Sequence, residues 1–160
     1  MQLITMDLLK DTPFLVDFFE LSRQSIVYSK VICTEKLQQL SLPYVEAEAG
    51  IFLYVNFSSL LPPNCNFDHE AKFSWLMENT ARLVMTPGQS QRDRRPGWFR
   101  ICYAWVSVEV LCIAMCRIEF VVNYLRTVGT NWYDKPDLLD YSLLKNVLLL
   151  EGMGNYALRN

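Results

Sequence analysis

Apolar and polar positions alternate along this chain with two distinct periods. Over residues 12–40 the stripe Phe14, Phe18, Leu21, Ser25, Tyr28 and Ile32 recurs at helical spacing. Glu20, Arg23, Lys30, Glu35 and Lys36 make up the polar face. This predicts one long helix, with Thr12 as N-cap, Pro13 at the first helical position and Leu42-Pro43 as the stop. Residues 51–57 are rich in aromatic and β-branched side chains and predict a strand introduced by Gly50. A Pro-containing loop follows. A second helix over 68–79 presents Phe73, Leu76 and Met77 as its apolar stripe. Short strands are predicted at 82–85, stopped by Pro87-Gly88, and at 98–104, separated by a polar, basic loop. A third helix over 107–126 has Ser107 as N-cap and Glu109 in its first turn, where the helix dipole favours an acid. After Gly129 come a turn-rich connector and, over 138–150, a leucine-rich pattern that predicts a short helix.

This order predicts an α+β domain over residues 1–128, a small mixed sheet of about three strands packed with helices, and a divergent tail over 129–160. The apolar fraction of 51% suits a chain that buries a core and excludes a disordered one. The balance of 15 basic to 17 acidic residues argues against nucleic acid or an anionic membrane surface as partner. The apolar run over 101–116 contains Glu109 and falls short of the ~20 residues a membrane span needs. The first residues carry no basic segment ahead of an apolar one, so no secretory signal is read there.

Cys33, Cys65, Cys102, Cys112 and Cys116 are odd in number and form no C-x-x-C pair. His69, the sole histidine, lies in another segment from Cys112 and Cys116. No metal site is therefore expected; buried, reduced thiols and a cytoplasmic location are.

The strand over 98–104 carries the most chemistry. Alternation puts Trp98, Arg100, Cys102 and Ala104 on one face and Phe99, Ile101 and Tyr103 on the other. A guanidinium cannot be neutralised, so a mid-strand arginine needs a partner or water. Its fork of donors suits a carboxylate held bidentately, and its small neighbours leave room for one. The pattern alone favours an edge arginine that reaches solvent or pairs with a structural acid.

Thr86-Pro87-Gly88, followed after seven residues by Pro96-Gly97-Trp98-Phe99-Arg100-Ile101-Cys102-Tyr103-Ala104, resembles a motif of the 1-aminocyclopropane-1-carboxylate synthases. It also resembles their pyridoxal-phosphate-dependent relatives among the class I and II aminotransferases. Glu48-Ala49-Gly50-Ile51-Phe52-Leu53-Tyr54-Val55 resembles the strand after that family's long connecting helix. The resemblance spans residues 8–126 and implies the small domain of a fold-type I enzyme. It implies that Arg100 grips the α-carboxylate of an amino-acid substrate, and that pyridoxal phosphate is the cofactor. Where relatives carry an aromatic residue after Pro-Gly-x-x, this chain has Gln91; where they often carry Glu before Pro-Gly-Trp-Phe, it has Arg95. The basic run 92–95 is read as a solvated loop, with a second anion contact as the alternative.

The family's Schiff-base lysine lies in a Ser-x-Ser-Lys-like segment before a glycine-rich stretch, which these residues do not contain. Lys30 follows Tyr28-Ser29 without the glycines, and Lys10, Lys36, Lys72, Lys135 and Lys145 have no better context. The expectation is a truncated relative that is inactive alone and does not itself bind the cofactor. A homodimer or a heterodimer with a full-length homologue is the expected partnership, and a non-catalytic interaction protein is the alternative role.

Overall fold

The structure, a computed structural model, describes residues 2–133. The expected helix over 138–150, with Lys135 and Lys145, lies outside the described residues. The chain opens with helix α1 (Gln2–Lys10), which the sequence analysis did not identify, and continues into α2 (Thr12–Gln39). Asp11, not Thr12, caps α2: its carboxylate accepts the Phe14 N–H, and Pro13 fills an early position whose N–H would have had no partner. Next come strands β1 (Tyr44–Val45) and β2 (Phe52–Asn56), helix α3 (Phe67–Asn79), strands β3 (Thr86–Pro87) and β4 (Trp98–Cys102), and helix α4 (Val108–Val128).

The α+β class holds. The sheet has four strands in the order β1-β2-β4-β3, and every pair is antiparallel, where a mixed sheet of about three was expected. β1 is only two residues long, too short to show a period. β3 is displaced from the expected 82–85 to Thr86–Pro87. Arg82 adopts a left-handed φ of 55°, which breaks the extended run, and pairing with β4 starts only at Thr86.

The β2–β4 register matches Leu53 with Ile101 and Val55 with Phe99 on one face, and Tyr54 with Arg100 on the other. The first face joins the core, where Phe57, Phe73 and Phe99 meet with ring centroids 5.3–5.8 Å apart. Helix α3 contributes Phe73, Leu76 and Met77, as its periodicity predicted. Helix α4 contributes Leu111, Met115, Ile118, Val121, Val122 and Leu125, and Ser107 caps it as expected.

Helix α2 packs differently from its predicted stripe. Its buried side chains are Ser29, Cys33 and Leu37, whereas Phe14, Phe18, Leu21 and Tyr28 are exposed. The helix is apolar on more than one face, and only its C-terminal part reaches the core. Its polar residues anchor that part: Lys36 pairs with Glu119 of α4 at 2.8 Å, and Lys30 with Glu46 at 2.8 Å. All five cysteines are unpaired; Cys33 is buried and the other four are half-buried, against the expectation that all would be interior. Burial pushes the Cys33 thiol up to about 12. Among the described residues, no helix is long and apolar enough to cross a membrane.

Candidate carboxylate site on the open sheet face

The face of the sheet opposite the core carries Phe52 and Tyr54 from β2, Trp98, Arg100 and Cys102 from β4, and Thr86 from β3. Arg100 stands in the middle of this row, between Tyr54 on one side and Thr86 on the other. Alternation puts it there: Phe99 and Ile101 turn into the core, so their neighbour must turn out. Its guanidinium carbon lies 4.4 Å from the centroid of the Phe52 ring, which supports the plane from below.

Arg100 is half-buried and short of partners. Its single hydrogen bond among the described residues runs from Nη2 to Thr86 Oγ1 at 3.4 Å, longer than a strong bond of this kind. It makes no ion pair among the described residues. A guanidinium has five N–H donors, so most of this fork is left for a visiting acceptor. The structure thus places Arg100 on the face the sequence indicated and supplies it with no structural acid there.

Residues 88–97 form the wall beside this row. They begin with a 3₁₀ turn (Gly88–Gln91) and pass through Arg92 at a left-handed φ of 62°. They are tied down in the middle: Tyr54 donates its hydroxyl to Asp93 Oδ2 at 2.7 Å, and Arg95 pairs with Asp93 at 3.0 Å. The Arg95 guanidinium also lies over the Trp98 ring, which itself stacks on Tyr54. At Gly88 an added Cβ would stand 2.6 Å from the Tyr54 hydroxyl and 2.9 Å from the Trp98 carbonyl, so only glycine lets the wall come this close. The expected solvated loop is exposed, as its arginines show, and is also tied down through Asp93. Arg92 and Arg94 are exposed, while Arg95 spends its charge on Asp93.

The Arg95 hydrogen bond, followed by that from Tyr54, holds the Asp93 carboxyl well below the usual carboxylate range. Burial, reinforced by the bond to Asp93, pushes the Tyr54 phenol well above its usual range. Sequence reasoning passed over both residues. Alternation gives the face of Tyr54 on its strand, but the register that sets it beside Arg100 is not local, and nothing local announces Asp93.

Behind the wall lies a second residue that sequence reasoning missed. Glu70 of α3 is fully buried, and its two carboxylate oxygens accept the backbone N–H of Gln89 at 3.0 Å and of Gly97 at 2.7 Å. A signal for it existed: Glu70 lies on the same helical stripe as Phe73 and Met77, so an acid was being placed on the buried face.

The described lysines do not make a site for a cofactor aldehyde. Lys30 is held by Glu46, whose hydrogen bond raises its pKa, and also donates to the Ala47 carbonyl. Lys36 is held by Glu119, and Lys72 sits over the Tyr133 ring at 3.6 Å. Lys10 is exposed at the end of α1. An ammonium locked in an ion pair is no nucleophile. Among the described residues, no lysine has a setting that fits pyridoxal phosphate.

A family model described as aminotransferase class I and II matches residues 1–118. The chain is 27% identical over 122 residues to 1-aminocyclopropane-1-carboxylate synthase 2 of Arabidopsis thaliana, covering 76% of this chain and 25% of that protein. It is 30% identical over 126 residues to the probable aminotransferase ACS12 of the same plant, covering 79% of this chain and 25% of that one. The crystal structure of an aromatic aminotransferase from Pyrococcus horikoshii superposes with a TM-score of 0.63 at 25% identity, over 75% of this chain and 30% of that one. The chain thus spans about a quarter of the length of the curated relatives it matches.

The Asp93 tie makes a pH-dependent contribution to stability. A carboxyl depressed in the folded state stabilises above its unfolded pKa of about 4 and loses that effect as pH falls through the folded value. Asp93→Asn should therefore lower Tm at pH 7, and the gap to the unsubstituted protein should narrow towards pH 2. Thermal melts across that range check it; a gap constant with pH would contradict the assignment.

Proposed function

The chain belongs to the aminotransferase class I and II family, and we propose that it forms the small domain of such an enzyme, with Arg100 as anchor for the substrate's α-carboxylate. The observation that carries this reading is the guanidinium of Arg100: half-buried, propped on Phe52, and without a carboxylate partner among the described residues. A planar cation held this way takes a carboxylate by two parallel hydrogen bonds. That contact fixes the substrate's orientation, so that the bonds at Cα face whatever reacts with them. The residue reads a group common to all amino acids and leaves the side chain to other parts of the enzyme.

Pyridoxal phosphate is the cofactor the family implies, and the described residues offer it no lysine. Reaction at Cα therefore belongs to the enzyme assembled around this domain. This chain by itself turns over no amino acid, with or without added cofactor. Its unpaired thiols support a reducing compartment such as the cytoplasm.

A second reading, a module that binds a full-length homologue, is favoured by one observation. Leu9, Phe14, Val16, Phe18, Phe19 and Leu21 of α1 and α2 are all exposed, more apolar surface in one segment than a free-standing domain usually shows. Light scattering on the eluting chain tests it: self-association, or co-elution with an added homologue, supports the module, and a clean monomer that ignores the homologue counts against it.

The Arg100 reading is tested by nuclear magnetic resonance. Titration with L-alanine should shift the Arg100 Nε–Hε signal saturably, with a Kd on the order of millimolar. L-Alaninamide, which lacks the carboxylate, should leave the signal in place; the amide of Thr86, the strand partner of Arg100, should follow L-alanine in the unsubstituted chain and stay still in Arg100→Lys. Equal responses to both compounds would overturn the assignment. A parallel assay should find no α-keto acid formed from an amino acid and pyridoxal phosphate; steady production would refute the claim of inactivity.

A further inference from the structure

Arg100 can hold a carboxylate only if the strand carrying it and the strand beside it keep their places. That edge of the sheet is thin. β3 is two residues long, and its Thr86 is both the register partner of Arg100 and, among the described residues, the one side chain that Arg100 touches by hydrogen bond. Two residues of pairing do not fix a register by themselves. Between β3 and β4 the chain makes an excursion over residues 88–97, and its two ends must be brought together.

The structure brings them together on one side chain. Glu70 Oε1 accepts the N–H of Gln89, two residues beyond Pro87, and Glu70 Oε2 accepts the N–H of Gly97, the residue before Trp98. Gly97 is fixed from its other side as well, where its carbonyl accepts the Phe57 N–H at 2.8 Å. Its φ is +90°, and an added Cβ would stand 2.9 Å from the Ser58 backbone, so the turn into β4 fits in one way only. Glu70 is itself enclosed by the fold. It is fully buried in the first turn of α3, where the helix dipole favours negative charge, and one turn from Phe73 in the aromatic core. Charge-assisted hydrogen bonds to backbone donors are short and strong, and inside a core they are not exchanged for water.

We propose that Glu70 is the positioning residue for Arg100. Its carboxylate joins the ends of the 88–97 excursion, and so holds Thr86 of β3 and Arg100 of β4 in the register that presents the guanidinium to a carboxylate. The assignment rests on the reading of Arg100 as a carboxylate anchor. Glu70 touches no ligand and acts through the backbone alone.

Glu70→Gln keeps the shape but has one acceptor oxygen, so one of the two N–H groups loses its partner. Folding of the variant is confirmed by circular dichroism, and the L-alanine titration is then repeated on the Arg100 Nε–Hε signal. The expected result is an affinity at least five-fold weaker than that of the unsubstituted chain, with L-alaninamide again silent. Unchanged affinity in a variant of lowered Tm would overturn the proposal, since that is what a merely structural residue gives. A chain that responds to L-alanine only in the E70Q form would overturn it too. Failure of the unsubstituted chain to respond at all sinks the Arg100 reading and this assignment with it, so the two failures are told apart. Amide exchange in the unsubstituted chain gives a readout that does not depend on the variant's folding. The Gln89 and Gly97 amides should exchange at least ten-fold more slowly than that of Arg94, and free exchange at either position would overturn the clamp.

Discussion

The pairing of β2 with β4 is the constraint on which the rest depends. Five residue pairs fix it, from Phe52 with Cys102 to Asn56 with Trp98. Because side chains alternate, the register decides at once which residues build the core and which build the site. In the observed register Phe99 and Ile101 meet Val55 and Leu53 under the helices, while Arg100 and Tyr54 face outward. A slip by one residue would drive a guanidinium among Phe57, Phe73 and Met77, where a charge without a partner is strongly unfavourable. The charge that makes the site thus also enforces the register that builds the core.

Two different devices hold the wall beside Arg100. In its middle, Asp93 meets Tyr54 and Arg95 in a polar knot at the surface, stacked on Trp98. At its ends, Glu70 works from the interior on backbone groups. The first lies at the surface, where salt screens it; the second lies in the core, where salt screens much less. Their combination explains how a stretch so rich in arginine adopts one conformation at all.

Much of this was legible in the sequence because periodicity and caps are local. The three long helices, the central strands and the outward face of Arg100 followed from spacing and from one motif. What stayed hidden depended on distance. Helix α2 carries apolar residues on several faces, and nothing local says that Ser29, Cys33 and Leu37 are buried while Phe14 and Phe18 are not. β1 and β3 are two residues each and exist only through their partners. Asp93 finds Tyr54 across 39 positions, and Glu70 finds Gly97 across 27, contacts that no window of residues around either one contains. The stripe of Phe73 and Met77 on α3 extends back to Glu70, and an acid in that position is a signal for backbone donors that went unread.

Helix α2 is also a lever. The first of its side chains packed against the core is Ile26, so the part from Thr12 to that point extends beyond the core cluster, a rod of about 20 Å at 1.5 Å per residue. A tilt of about 5° at the root would swing the tip by roughly 2 Å, since a helix transmits rotation along its length. The root is cross-braced by Lys30 to Glu46 and by Lys36 to Glu119 of α4. A load placed on the outer half is therefore felt at those two ion pairs, one leading into the segment before β2 and the other into the helix that follows β4.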